Sequence, residues 1–547
     1  MNLVSLNQKI SKLFVEKKYK QVIELIESSF DQKNLNTQYL NILGAAKLFC
    51  GDKDQIDSSI ECFKKGYLKE KVTKNALDAF TNYIQTSLNY KKLGDLTQYF
   101  SEAINDFGYD EKMSGEILRT YLYLNNTQKV ILFLSDLINH TGLNKKKLQN
   151  YVFYNLLESS WSQEDFFHYS KKISSLLKNF SKDKLLPLNK IKNSKKKIAF
   201  VSSDIKKKHS VTYFLKSVLE GDERKNFEII IVSNSKKNTN DKNTLEFKLM
   251  VDEWIDIDDL QDFEAMNLLR SKNFDIAIDL MGFTSDNKLE FFKERIAPIQ
   301  ISWLGYCNTS GIDEIDFLIA DKNLIYPEEE NLYVEKVIYL PKIWNCHSGI
   351  EKTRVKKDSP FLKNNFITFG SFNNFLKISE KTIQTWAKIL QSVKNSKLIL
   401  KSSRHQHYDE IFKKFKDYDI GKSIIIEKTR DFESHIDLYS KIDLALDTFP
   451  YNGVTTSFEA LWTGTPIIVM KGNNFNSRCG ESIIKNLGIN SLIANNMKDY
   501  VEKTVNLANN HDQLELIRNQ IFHNVLKTPL FDKNTFCRDF YKTLESL

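Results

Sequence analysis

Lysine, threonine, glutamate and histidine recur in this chain at places where strands should end and helices begin. The densest case runs from Asp443 to Pro466. An apolar run at Leu444-Ala445-Leu446 leads into the turn Pro450-Tyr451-Asn452-Gly453 and then a hydroxyl-rich helix start at Thr455-Thr456-Ser457. Gly464-Thr465-Pro466 turns the chain back into the apolar run Ile467 to Met470. A turn that opens a helix presents unpaired backbone N–H groups, and the helix dipole favours a phosphate there. Glu459 lies four positions after Thr455, so both project from one face of the opening turns. A carboxylate beside a bound phosphate suits ribose hydroxyls, which can donate to it. The stretch predicts a nucleotide site.

Other candidates lie at similar junctions. Lys377, in the loop Phe372 to Ser379, follows an expected strand at 366–369 and precedes a helix capped by Ser379. A lysine there can neutralise a diphosphate leaving group as a fixed point charge. The plain alternative is a solvated lysine in a lysine-rich chain. His435 precedes the strand at 444–447 and could stack on a base or donate to a phosphate, or be structural. His209 follows Val201-Ser202-Ser203-Asp204 at the end of the first expected strand. That location suits a general base or a sugar contact, with a surface-loop histidine as the alternative. The neighbouring lysines at 206–208 would raise the local potential and depress its pKa. Gly305 and Gly311, in the loop Trp303 to Gly311, permit close approach of backbone and ligand, or make a tight turn. Asp256-Ile257-Asp258 mimics the paired acids of metal-dependent sugar transferases. No third ligand accompanies it, so it reads as a strand end, and no metal site is expected.

Positioning these groups takes two kinds of architecture. Residues 1–180 read as successive helices, with apolar spacing at Val22, Ile23, Leu25 and Ile26 and again at Leu40, Ile42 and Leu43. Leu43-Gly44-Ala45 through Phe63 resembles one tetratricopeptide helix-turn-helix unit, with weaker copies at Phe14–Phe30 and Asp95–Phe107. An ordinary helical domain is the alternative, and either would serve as a docking arm. A charged, Pro-containing linker at 181–197 precedes alternating strands and helices. Strands are expected at 197–201, 227–232, 275–280 and 299–303, then at 366–369, 397–400, 423–426, 444–446 and 466–470. Two such series predict two doubly wound sheets, at 196–345 and 362–547, facing a cleft, with Phe- and Leu-rich C-terminal helices closing the second half.

Composition agrees. The 547 residues are 41% hydrophobic and 12% aromatic, with only 8 prolines and 19 glycines. This is enough for several packed domains and argues against long disordered segments. The net charge of +8 is dispersed, with no basic run interleaved with stacking aromatics, so no nucleic-acid partner is expected. Six scattered cysteines without a CxxC pair suit reduced thiols, and no signal peptide or membrane span is evident. A cytoplasmic protein is expected.

Taken together, Asp443 to Pro466, Phe372 to Lys377 and Ala297 to Tyr306 resemble the O-GlcNAc transferase/SPINDLY family of protein glycosyltransferases over roughly residues 195–547. The helical N-terminus resembles that family's tetratricopeptide arm, shorter and degenerate. The resemblance implies an α/β GT-B fold, inversion at the anomeric carbon and no catalytic metal. It also implies transfer of GlcNAc from UDP-GlcNAc, as substrate rather than cofactor, to Ser or Thr hydroxyls of acceptor proteins docked by the arm. By position, Lys377 looks like the lysine holding the donor diphosphate and Thr455 and Thr456 like the phosphate-binding threonines. Glu459 looks like the ribose-binding acid and His435 like the nucleotide-contacting histidine. Asn374 sits where those enzymes have a glutamine, Gly453 and Gly305 lie in the binding loops, and His209 falls at the active-site histidine. Phe432 and Leu438 stand where animal enzymes carry basic nucleotide contacts, and Val454 replaces a histidine. The alternatives are a GDP-fucose-dependent O-fucosyltransferase and a scaffold with an inert transferase half.

Overall fold

The computed structural model describes residues 3–31, 34–158, 161–180, 185–188, 194–205, 209–235, 242–402, 408–428 and 431–547. The lysines at 206–208 and much of the expected linker lie outside the described residues. The chain divides into two compact units, Met1–Gly142 and Leu143–Leu547.

The first unit is helical throughout its described residues. Helices Leu3–Val15, Tyr19–Ser29, Thr37–Phe49, Gln55–Lys69 and Lys74–Asn89 pack successively, followed by Phe100–Phe107, Glu111–Tyr123 and Thr127–Thr141. Several begin where the sequence supplies an N-cap. Asn36, Thr73, Asp110 and Asn126 each accept a backbone N–H from the first turn, satisfying one of its orphan donors. Val22 and Ile26, four apart, are fully buried among Leu6, Ile10 and Leu43. At Gly44 an added Cβ would sit 2.7 Å from the Phe63 ring, so the glycine lets helix Thr37–Phe49 lie directly on Gln55–Lys69. This is the close helix pair that the tetratricopeptide-like spacing anticipates.

The second unit starts earlier than the expected linker. Helices Lys145–Glu158 and Gln163–Leu176 pack against the first sheet domain: Gln163 Nε2 donates to Asn308 Oδ1 (2.8 Å) and Lys171 Nζ to Asp313 (2.7 Å). Gly311, at φ +71°, comes so close to Ser170 that a Cβ would lie 2.2 Å from its carbonyl carbon. Helical periodicity marks these two helices but carries no information about which neighbour covers them, so the sequence groups them with the arm.

Seven parallel strands build the first sheet: β1 Lys196–Ser202, β2 Phe227–Ser233, β3 Glu253–Asp256, β4 Ile276–Asp279, β5 Ile299–Ser302, β6 Phe317–Ala320 and β7 Lys336–Tyr339, in the order β3-β2-β1-β4-β5-β6-β7. Six build the second: β8 Thr368–Ser371, β9 Lys397–Ser402, β10 Ile424–Lys428, β11 Leu444–Leu446, β12 Ile467–Met470 and β13 Ile493–Ala494, in the order β10-β9-β8-β11-β12-β13. Central strands such as Ile198 to Val201 are buried on both faces, which parallel sheets covered by helices require. Strands β3, β6, β7 and β13 are absent from the sequence-based expectation.

Each sheet reverses its winding once, between β1 and β4 and between β8 and β11, and ligands bind in such crevices beyond the carboxyl ends of the strands. The two halves are tied together by Arg478, whose guanidinium pairs with Glu329 (Nη2 to Oε1, 2.7 Å), and by Ser482 Oγ donating to Asp321 (2.7 Å). The last helix, Lys533–Glu545, does not close the second half as expected. It crosses to the first, where Phe540 packs on Trp303 (4.7 Å between centroids) and Tyr541 on Phe227 (4.7 Å). Its aromatic face fits either sheet equally well as a pattern.

Candidate active site

A cavity of about 320 Å³ opens between the two halves, beyond the carboxyl ends of β1 and β5 in the first and of β8 and β11 in the second. His209, Gly305, Asn374, Lys377, Thr455 and Thr456 line it, together with Cys307, Trp344, Asn373, Tyr451 and Val454. The structure therefore brings six of the nine sequence-derived candidates around one space. Gly453 lies in its supporting turn, and His435 and Glu459 are buried behind it.

The cradle is built from the loop after β11. Helix Thr455–Thr463 has Val454 at its N-cap, and no side chain caps its first turn. An apolar N-cap leaves the opening N–H groups for something else to satisfy. The turn before it is organised by Asp447, which is fully enclosed. Asp447 Oδ1 accepts from the Gly453 N–H (2.7 Å), the Thr448 N–H (2.9 Å) and Asn373 Nδ2 (3.2 Å). Burial raises its pKa from 3.8 to about 7, against the pull of the Gly453 N–H and the Lys377 charge. A Cβ on Gly453 would meet Thr456 Oγ1 at 2.6 Å, Asn373 Oδ1 at 2.8 Å and Asp447 Oδ1 at 2.9 Å, so only glycine fits. Thr456 Oγ1 donates to Asn373 Oδ1 (2.7 Å), joining this loop to the one after β8.

Lys377 comes from that second loop. Partly buried, it donates from Nζ to the Asn452 carbonyl (3.0 Å) and lies 4.2 Å from the centroid of the Tyr451 ring. Burial holds its pKa below the ordinary lysine value, with Asp447 opposing. Asn374 is exposed, and its Oδ1 accepts the Leu376 N–H (3.1 Å). Ser379 caps helix Glu380–Ser392, the role its position implies.

The remaining candidates divide. His209 sits at the N-cap of helix Ser210–Leu219, with Nδ1 3.5 Å from the Val211 N–H and Nε2 3.8 Å from Asp204 Oδ1. It reaches the cavity from the first half. Gly305 contributes backbone to the wall, and its glycine identity answers a protein contact: a Cβ would lie 1.7 Å from the Leu280 carbonyl oxygen. His435 is 6% and Glu459 3% exposed. His435 Nε2 stands 2.8 Å from Glu459 Oε2, the Tyr439 hydroxyl 3.0 Å from the same oxygen, and Lys401 Nζ 3.3 Å from His435 Nδ1. Burial pushes the Glu459 pKa up, but His435, Lys401 and the Tyr439 hydroxyl leave it below the ordinary value. Phe432 stacks on Tyr213 across the two halves (5.7 Å), while Leu438 is buried in the core. Asp256 ends β3 and accepts from Trp254 Nε1 (2.8 Å), the strand-end reading. Among the described residues, no three His, Cys, Asp or Glu side chains gather as a metal-holding group.

Sequence reasoning assigned no role to Asp447, Asn373 or Lys401. Asp447 carried a legible signal, an acid ending an apolar strand six residues before a glycine. Asn373 and Lys401 carried none, because each matters through a residue distant in the chain.

Two Rossmann-like domains meeting at a cavity with a lysine and an uncapped helix start define the GT-B class of glycosyltransferase fold. A mutant O-GlcNAc transferase of Thermobaculum terrenum superposes with a TM-score of 0.76 at 19% identity, covering 94% of this chain and 98% of that one. The chain belongs to glycosyl transferase family 41, whose pattern it matches over residues 172–349 and 352–540. Curated relatives include the protein named "Probable UDP-N-acetylglucosamine--peptide N-acetylglucosaminyltransferase SPINDLY" of Petunia hybrida, 33% identical over 362 residues, 64% of this chain and 38% of that one. The corresponding SEC protein of Arabidopsis thaliana is 27% identical over 350 residues, 61% of this chain and 35% of that one. The chain thus spans under half the length of these relatives. No helix among the described residues is long and apolar enough to cross a membrane.

Proposed function

We propose that this chain is an inverting, metal-independent glycosyltransferase that moves GlcNAc from UDP-GlcNAc to Ser or Thr hydroxyls of proteins, needs no further cofactor and works in the cytoplasm. The observation that carries the reading is the convergence of Lys377 and the uncapped Thr455–Thr456 helix start on one cavity. The relatives' names supply the donor and acceptor. In the transfer, the acceptor hydroxyl oxygen bonds to the anomeric carbon as the bond to the diphosphate oxygen breaks. The departing diphosphate keeps the electron pair, and the hydroxyl proton passes to a base.

Lys377 and the helix N–H groups stabilise the departing charge as donors already fixed in place by the fold. Burial keeps the lysine's charge poorly solvated before the donor arrives, so an incoming diphosphate replaces missing hydration. His209, across the cavity, is the side chain available to the hydroxyl proton; a donor phosphate oxygen is the other acceptor. The helical unit is assigned the docking of acceptor proteins.

The test is incubation with UDP-GlcNAc and GDP-fucose in parallel, with and without EDTA, read by mass spectrometry of the acceptor. Lys377→Ala is expected to lower kcat by about 10²–10³ while the fold persists, the size of effect seen when one transition-state donor is removed. Wild-type-like transfer by that variant would remove the lysine from the mechanism. Loss of activity in EDTA, or transfer of fucose alone, would overturn the metal-free GlcNAc reading.

A further inference from the structure

We propose that Lys401 is a positioning residue that locks His435 in its Nε2–H tautomer, so that Glu459 meets the donor's nucleoside as an ionised, acceptor-only carboxylate. This rests on the nucleotide-transfer reading above.

The argument begins with what each group is able to donate. A lysine ammonium has three N–H donors and no acceptor. Lys401 Nζ lies 3.3 Å from His435 Nδ1, so that nitrogen must carry a lone pair. The ring's one proton then resides on Nε2, 2.8 Å from Glu459 Oε2. The opposite tautomer would set Nδ1–H against the ammonium and an Nε2 lone pair against the carboxylate. Both contacts would turn repulsive, and low dielectric sharpens the penalty because His435 and Glu459 are 6% and 3% exposed.

The tautomer decides what Glu459 offers. Receiving the imidazole N–H and facing the Tyr439 hydroxyl at 3.0 Å, Oε2 is held as an acceptor within the protein. Neither contact uses Oε1, the oxygen assigned to a hydroxyl of the nucleoside. Lys401 reaches this place because it is the penultimate residue of β9, the neighbour of β8, whose following loop carries Lys377. Within strand Lys397–Ser402 it directly follows the apolar run Leu398-Ile399-Leu400.

Two measurements test the lock. In full-length protein labelled with ¹⁵N-histidine and free of ligand, with the resonance assigned through His435→Gln, wild type is expected to show a pyridine-type Nδ1 and a pyrrole-type Nε2. Lys401→Met, left with the Glu459 contact alone, should gain a detectable Nδ1–H fraction, and Lys401→Arg, which still only donates, should keep the wild-type pattern. In steady state, Lys401→Met should raise KM for the sugar nucleotide about tenfold with kcat nearly unchanged, and Lys401→Arg should restore most of it. A protonated Nδ1 in wild type, or a Met variant with wild-type tautomer and KM, overturns the proposal. Should the Met variant not fold, the wild-type and Arg spectra decide. A locked tautomer in a protein that binds no sugar nucleotide would sink the transferase reading and not the lock.

Discussion

The Asp447 carboxylate sits fully enclosed at the end of β11, where it gathers the Gly453 and Thr448 N–H groups and the Asn373 amide. It shapes the turn before helix Thr455–Thr463 from underneath. Its pKa, raised from 3.8 to about 7 by burial, has a consequence for stability. Between these values the folded protein holds a proton that the unfolded chain has released. Stability therefore falls as pH rises through that window, by about 1.4 kcal/mol per pH unit for this group, and levels off above pH 7. Asp447→Asn lacks this titration. From pH 5 to pH 7 the urea-unfolding free energy of wild type should drop by about 1–3 kcal/mol more than that of Asp447→Asn. Parallel profiles would refute the raised carboxyl.

Among elements, helix Thr455–Thr463 starts at the cavity with no side-chain cap. Its neighbours follow the usual rule: Ser379, Asn474 and Asn496 each cap a helix in the same half with a side-chain oxygen. Where the cavity opens, an apolar residue, Val454, takes that place. Val454→Asp should supply the missing cap from within the protein. The expected outcome is a fold stabilised by about 1 kcal/mol and UDP binding weakened at least about tenfold, because the carboxylate occupies and repels at the phosphate position. Thermal melting and calorimetric titration read the two effects; tighter UDP binding by the variant would show that the helix start is not the anion site.

For the molecule as a whole, the division at Gly142 and Leu143 separates a helical unit with its own core from a unit holding both sheets. A chain beginning at Leu143 should remain folded and keep the UDP-induced thermal shift of the full chain, since the cavity residues all lie within it. Its KM for protein acceptors should rise while short peptides are unaffected, if the arm docks the acceptor. A chain beginning at residue 181 should melt well below it. That cut strips helices Lys145–Glu158 and Gln163–Leu176 and exposes the surface around Asn308 and Gly311. Equal melting temperatures would restore the linker as the domain boundary.

Much of this protein is written locally. The strand-turn-helix at Asp443 to Pro466 is legible because its strand, turn and helix signals are contiguous, and Lys377 shows because a strand end and the Ser379 cap bracket it. The two-sheet fold is legible because long, doubly buried strands are continuous apolar runs. Tertiary structure alone decided which surface covers helices 145–176, that the last helix crosses to the first half, and that Lys401, His435, Tyr439 and Glu459 form one buried cluster. Those outcomes depend on which of several equally apolar faces meet, and on side chains brought together from four separate elements. A one-dimensional pattern records that a face must be covered; the identity of its cover is a property of the folded chain.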